Sequence, residues 1–197
     1  EEKHGIRLSN TSQVVLEDVV VPAANIVGTK EGDGIRQSNE VFGFTRLMVA
    51  AFGLGGGLAA LERAIAYSRE RKQFGTYLCE KQGYTHKLLV PHSVRLAAAQ
   101  AYIEHVASLL DSSETDRQVE GSVAKLFATE AGNAAAEAAI QAHGGYGYCA
   151  EYEVEKIKRD TRILTIYEGT SEIQQNIIGV FRMRENVKAK GGFYNWL

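Results

Sequence analysis

Glu168 stands between an aromatic ring and a glycine in Ile166-Tyr167-Glu168-Gly169-Thr170-Ser171, just ahead of a helix that the pattern starts near Ser171. A carboxylate held against aromatic surface and partly stripped of water is a stronger base, which is what proton abstraction needs. Gly169 opens the backbone so that an N–H can donate to a substrate oxygen. On these residues alone two roles fit Glu168: general base, or a charge helping to cap the helix that follows.

Tyr67-Ser68-Arg69-Glu70-Arg71-Lys72-Gln73-Phe74-Gly75 gathers cations where a helix ends. One reading is a solvated helix terminus complementing the helix dipole. The other is an anion site, with Arg71 offering a rigid fork to phosphate and Phe74 an apolar platform. In Gln141-Ala142-His143-Gly144-Gly145-Tyr146-Gly147-Tyr148 the glycines either stop a helix or bare backbone N–H groups to a ligand. His143 lacks a spaced His, Cys or carboxylate partner and reads as a packing residue rather than a metal ligand. Gly53-Leu54-Gly55-Gly56-Gly57 follows no predicted strand and has no Lys-Ser/Thr after it, so it reads as close packing rather than a phosphate loop.

The elements that must position these groups are mostly helical. Apolar and small residues recur at helical spacing over 35–70, 80–112 and 115–144, with shorter helices over about 150–158 and 170–186. Ser113 with Asp116, or Thr115, supplies a start signal for the third of them. The first, at 1.5 Å per residue, spans ~50 Å and implies a large bundle. Ala-rich faces at 57–60, 97–101 and 134–139 let helices approach closely. Residues 6–30, with Val14-Val15-Leu16 and Val19-Val20-Val21 before Pro22 and Asn25, read as strand and turn. Two or three strands cannot stand alone in water, so they pack on the helices or belong to a larger sheet.

Of 197 residues 45% are hydrophobic and 23% charged, with 2 Pro, a globular rather than a disordered composition. A net charge of -2 supplies no general electrostatic footprint for nucleic acid or an anionic membrane. Two cysteines, Cys79 and Cys149, exclude a dense disulfide framework and fit reduced thiols. The uncharged run Leu47–Leu61 is too short to span a hydrocarbon core. The chain opens on Glu1-Glu2-Lys3 without Met, as a piece of a longer protein would.

Four motifs, in this order and spacing, resemble the C-terminal half of an acyl-CoA dehydrogenase from about Gly5 to about Val180. They are Val19-Val20-Val21-Pro22 with Asn25-Ile26-Val27-Gly28, Gly32 and Gly34; Tyr67-Ser68 with Arg71 and Gln73-Phe74-Gly75; Gln141 with Gly144-Gly145 and Gly147-Tyr148; and Arg159-Asp160 with Ile166 through Gln174. The resemblance implies a mainly α chain. Residues 1–30 would be the end of a middle β-domain, 34–186 a C-terminal four-helix bundle, and 187–197 a tail. The family's first helical domain and most of its β-domain would lie outside this chain.

The resemblance also implies the chemistry: FAD-dependent α,β-dehydrogenation of an acyl-CoA thioester to the trans-2-enoyl-CoA. Glu168 matches the base that removes the α-proton, while hydride leaves the β-carbon for flavin N5. Arg71 matches the residue reaching the FAD pyrophosphate of a neighbouring subunit, with Gln73 and Phe74 flanking the cofactor. Gln141 and Gly145 match the adenine-side pocket, and Thr170 and Glu172 match contacts near the cofactor. Arg46 matches a cation near the CoA part, Tyr167 lines the acyl pocket, and the backbone at the Glu168–Gly169 turn meets the thioester carbonyl. One branch of the family carries its base one residue before the Arg46 position. Thr45 stands there and Glu168 is in the usual place, which argues against that branch; Glu40 lies too far back on the same helix to substitute. The partners implied are acyl-CoA, an electron-transferring flavoprotein and further copies of the chain in a dimer of dimers, in bacterial cytoplasm or mitochondrial matrix. An acyl-CoA oxidase and a non-catalytic binding protein on the same scaffold are the alternatives. Acyl chain length lies in residues outside this chain.

Overall fold

A computed structural model describes residues 1–28, 30–112 and 117–189, with side chains through 183. The longest element, helix α1 (Gly34–Glu70), contains no proline to interrupt its ladder. Its first turn is tied down by Arg36, which pairs with Asp33 at 2.9 Å and Glu40 at 2.6 Å. Helix α1 is long and apolar enough, by length and composition, to cross a membrane. Here its buried face is a wall of the bundle core. Helix α4 (Gln118–His143) lies along it, and glycines set the spacing. A Cβ on Gly57 would fall 2.7 Å from Gly132 Cα, and one on Gly53 would fall 2.8 Å from Thr129 Cα. The glycine cluster is therefore a helix-packing seam, as its place in an apolar stripe predicts.

Helix α2 (Gln82–Leu88) and helix α3 (Val90–Ser112) replace the single helix expected over 80–112. Pro91 has no N–H to offer the carbonyl of Lys87, so the ladder breaks at Leu89. The start signals Ser113, Thr115 and Asp116 lie outside the described residues. Two apolar clusters fill the bundle: one around Leu61, Leu89, Leu96 and Val154, the other around Leu47, Val106 and Ala128.

Between α1 and α2 the chain makes a hairpin of β1 (Lys72–Gln73) and β2 (Thr76–Tyr77). Its two-residue turn has φ +53 at Phe74 and +84 at Gly75, the paired positive values that suit a tight hairpin. After α4 a 3-10 segment, Gly144–Tyr148, turns the chain. Helix α5 then runs Val154–Arg162, starting later than the helix expected at 150. The delay is local: Ala150–Tyr152 is a 3-10 turn, and Glu153 takes a left-handed φ of +59 before the helix can begin. Helix α6 (Ser171–Ala189) starts where its signal places it.

The strands expected within 6–30 are not formed among the described residues. Only a 3-10 turn, Ala23–Asn25, interrupts an extended path, and Val14, Val15, Val19, Val20 and Val21 are all exposed. A strand needs a neighbour to pair with its N–H and C=O groups, and none pairs with this run among the described residues. The front of the chain is tied to α1, where Gln37 Nε2 donates to the Val27 carbonyl at 3.0 Å, and to α5. Ile6 N–H donates to Asp160 Oδ1 at 2.7 Å, and Arg159 donates to the His4 carbonyl at 3.2 Å.

Candidate active site

Glu168 sits in the turn between α5 and α6, where Glu168 and Gly169 have φ of +56 and +91. Two left-handed residues in succession reverse the chain and leave the Glu168 carboxylate half-buried beside α1. There Thr45 Oγ1 donates to Glu168 Oε2 at 2.9 Å. The position before Arg46, and the usual base position, are thus in direct contact across the bundle.

The carbonyls of the turn point into the bundle. Gln174 Nε2 donates to the oxygens of Glu168 (2.9 Å) and Gly169 (3.0 Å), and Lys125 Nζ donates to Gly169 O at 2.7 Å. Arg46 Nε lies 3.4 Å from Glu168 O, and its guanidinium also reaches Ser122 Oγ at 3.2 Å and the face of Phe42. Lys125 and Gln174 are completely buried and Arg46 is nearly so. Burial, reinforced by the nearby Arg46 charge, pulls the Lys125 ammonium down to about 8, against the pull of Glu130, Glu168 and Glu172. Ser171 closes the layer by donating to Glu130 at 2.6 Å.

Thr170 and Glu172 flank this turn. Thr170 Oγ1 accepts from Ile173 N–H at 3.3 Å, which caps α6. The Glu172 carboxyl is held below the usual range by its own backbone N–H and by the Thr170 hydroxyl. Tyr167, half-buried, lines an apolar groove of about 510 Å³ with Phe52, Leu164 and Ile157. Burial, with the Glu168 charge beside it, raises its phenol.

A separate cavity of about 570 Å³ opens where α1 ends. Arg71, Gln73, Gln141 and Gly145 all line it, with Tyr67 and Tyr146 as aromatic walls. Tyr67 stacks on His143 at 4.5 Å between ring centroids, and His143 Nδ1 donates to the Ala139 carbonyl at 2.8 Å, a packing role. Tyr84 hydroxyl donates to Ala142 O at 3.0 Å, and burial pushes that phenol up to about 12. Phe74 is 96% exposed at the hairpin tip and does not line the cavity; Thr170 and Glu172 do not line it either. The predicted residues therefore fall into two groups, one around the turn at Glu168 and one around Arg71.

The profile of a protein family described as acyl-CoA dehydrogenase, C-terminal domain, matches residues 32–181. The chain belongs to the acyl-CoA dehydrogenase family. An acyl-CoA dehydrogenase of Bacillus subtilis is 40% identical over 181 residues, 92% of this chain and 47% of that protein. The caffeyl-CoA reductase-Etf complex subunit CarC of Acetobacterium woodii is 39% identical over 178 residues, 90% of this chain and 46% of that protein. The crystal structure of an acyl-CoA dehydrogenase from Bacillus anthracis, complexed with FAD, superposes with a TM-score of 0.85 at 29% identity, covering 97% of this chain and 36% of that one. The chain spans about half the length of the curated relatives it matches.

As a C-terminal domain of this acyl-CoA dehydrogenase type, the chain carries a buried polar layer to which the sequence reading gave no role: Lys125 and Ser122, outside its motifs, and Gln174, the last residue of the fourth. The signal was a polar face, Ser122, Lys125 and Thr129, recurring at helical spacing inside an Ala-rich run. A lysine there has no solvated side to turn to.

Proposed function

We propose that this acyl-CoA dehydrogenase domain removes the α-proton of an acyl-CoA thioester, with Glu168 as the base. The observation that carries the reading is the aimed carboxylate. It is half-buried, it is oriented by the Thr45 hydroxyl, and it projects from a turn whose carbonyls are held by Gln174 and Lys125. A carboxylate suits the step because it accepts one proton without forming a covalent bond. Arg46, the residue after Thr45, is buried against Ser122, Phe42 and the Glu168 carbonyl, and so brings a cation to the backbone of the same turn. Tyr167 and Phe52 shape an apolar wall beside it.

FAD is the cofactor of this family, and when bound it accepts the hydride from the β-carbon. The Arg71 cavity fits a dinucleotide: a guanidinium for phosphate, the amides of Gln73 and Gln141, bare backbone at Gly144-Gly145, and aromatic walls. Phe74, exposed at a hairpin tip beside Arg71, fits a contact with a second copy of the chain in a dimer of dimers. An electron-transferring flavoprotein as electron acceptor is supported by the Acetobacterium relative, whose name places it in an Etf complex. The exposed, unpaired Cys79 and Cys149 suit a reducing cytoplasm or matrix.

The experiment is Glu168→Gln in the protein expressed from its complete reading frame, scanned against acyl-CoA chain lengths. Loss of α-proton exchange with FAD still bound assigns the base; unchanged turnover sinks the assignment. The same relative favours a second reading, reduction of a 2-enoyl-CoA, in which Glu168 returns the proton it would otherwise take. Turnover with an enoyl-CoA and a reduced electron donor, exceeding turnover with the acyl-CoA, would select that direction. Rapid reoxidation of the reduced protein by oxygen would instead favour the oxidase.

A further inference from the structure

The turn that carries Glu168 is costly to form. A non-glycine residue at φ +56 is held in a sparsely populated region, which persists only where surrounding contacts over-determine it. The over-determination is visible on one side of the turn. Three donors, Lys125 Nζ, Gln174 Nε2 and Arg46 Nε, converge on the two carbonyl oxygens of Glu168 and Gly169. Gln174 shows what the core gives up for this. Its Nε2 serves both carbonyls while its buried Oε1 has no hydrogen-bond partner, an arrangement that costs free energy.

Lys125 is the least expected of the three. A lysine with no exposed surface is rare unless its charge is answered. The groups that face it are Arg46 from α1, Glu168 from the turn, Glu172 from α6 and Glu130 from its own helix. Its ammonium donates to a backbone carbonyl, at 2.7 Å, rather than to any of those carboxylates. A charge-assisted bond is roughly twice as strong as a neutral one, so Lys125 is the strongest single restraint on the Gly169 carbonyl. Across trans peptides the N–H groups of Gly169 and Thr170 lie opposite the clamped carbonyls, so the same restraint turns them away from Lys125.

We propose that Lys125 is a positioning residue for the base: its buried ammonium clamps the Gly169 carbonyl and so fixes the turn that aims Glu168 at the α-carbon. The inference rests on the reading of Glu168 as the base. Lys125 touches neither substrate nor cofactor in this role; it acts through the backbone. Removing its donor leaves the Gly169 carbonyl bonded to Gln174, so the turn is loosened rather than stripped of partners.

The test is Lys125→Met in the FAD-bound protein expressed from its complete reading frame, assayed with butyryl-, octanoyl- and palmitoyl-CoA. Turnover per bound flavin, KM, flavin content and α-proton exchange in heavy water are measured together. The expected result is a fall of tenfold or more in kcat and in exchange, with KM within about twofold and flavin content unchanged. Lys125→Gln, uncharged and one atom shorter but still a donor, should fall between the two, and it carries the test should the Met variant not fold. Unchanged kcat per flavin in the folded variant overturns the proposal, as does a loss that only follows flavin content. Glu168→Gln is the control on the underlying reading. If that variant keeps α-proton exchange, the base assignment fails whatever Lys125 does. If it is inactive while Lys125→Met is unaffected, only the Lys125 proposal fails.

Discussion

Thr45 and Glu168, 123 residues apart in sequence, meet with Oγ1 2.9 Å from Oε2. The contact joins the first third of α1 to the turn before α6. It gives the carboxylate one fixed oxygen; under the proposed function the other accepts the proton. Thr45→Val keeps the shape and removes the donor. We expect kcat to fall by about tenfold, the equivalent of one hydrogen bond worth ~1.4 kcal/mol, with Thr45→Ser restoring most of it. Steady-state kinetics on the two variants decide it, and equal rates would detach Thr45 from the mechanism.

Gly169 has φ +91, and a Cβ there would fall 2.5 Å from Gln174 Nε2. Gly169→Ala therefore strains the backbone and displaces the amide that holds both carbonyls. A loss of ~1–3 kcal/mol in stability is expected, read as a lower urea midpoint, together with a drop in α-proton exchange.

The glycine run in α1 offers an internal contrast. Gly55 has open space around its Cβ position, whereas Gly57 faces Gly132 Cα at 2.7 Å. Gly55→Ala should stabilise by up to ~1 kcal/mol through helix propensity. Gly57→Ala should destabilise by ~1–3 kcal/mol through overpacking. Thermal unfolding of the two variants should shift in opposite directions.

Lys125 predicts a pH dependence of stability. Its folded value of about 8 lies below the ordinary 10.5, so folding releases a proton between those values. Below pH 8 the buried charge costs up to about 3 kcal/mol; that cost disappears as pH rises from 8 toward 10.5. Stability should therefore rise through this window, and Lys125→Met should flatten the slope. The half-buried phenols of Tyr84, Tyr102 and Tyr167 act oppositely above pH 10, because the unfolded chain ionises them more readily. Urea midpoints between pH 8 and 9.5 isolate the lysine.

Arg71→Gln should weaken FAD retention by ten- to a hundredfold, the range for one charge-assisted bond. Arg71→Lys should restore only part of it, because a lysine keeps the charge without the planar fork. Flavin released on dilution reads both.

Local pattern alone placed most of the helices, stopped one at Gly144 and set Glu168 at the mouth of α6; it did not show the hairpin at Phe74-Gly75 or the break at Leu89. The features it placed follow from turn chemistry and helical period, which act over a few residues. Tertiary structure decided what those residues meet. Thr45 faces Glu168 and Lys125 lies beneath Gly169 because glycines at 53, 57 and 132 fix how deeply α1 and α4 nest, and hence their rotation and register. Such pairings span tens to more than a hundred residues and leave no local trace. The valine runs near the front show the converse: strand propensity was legible in them, but a ladder needs a second strand, and composition cannot supply one.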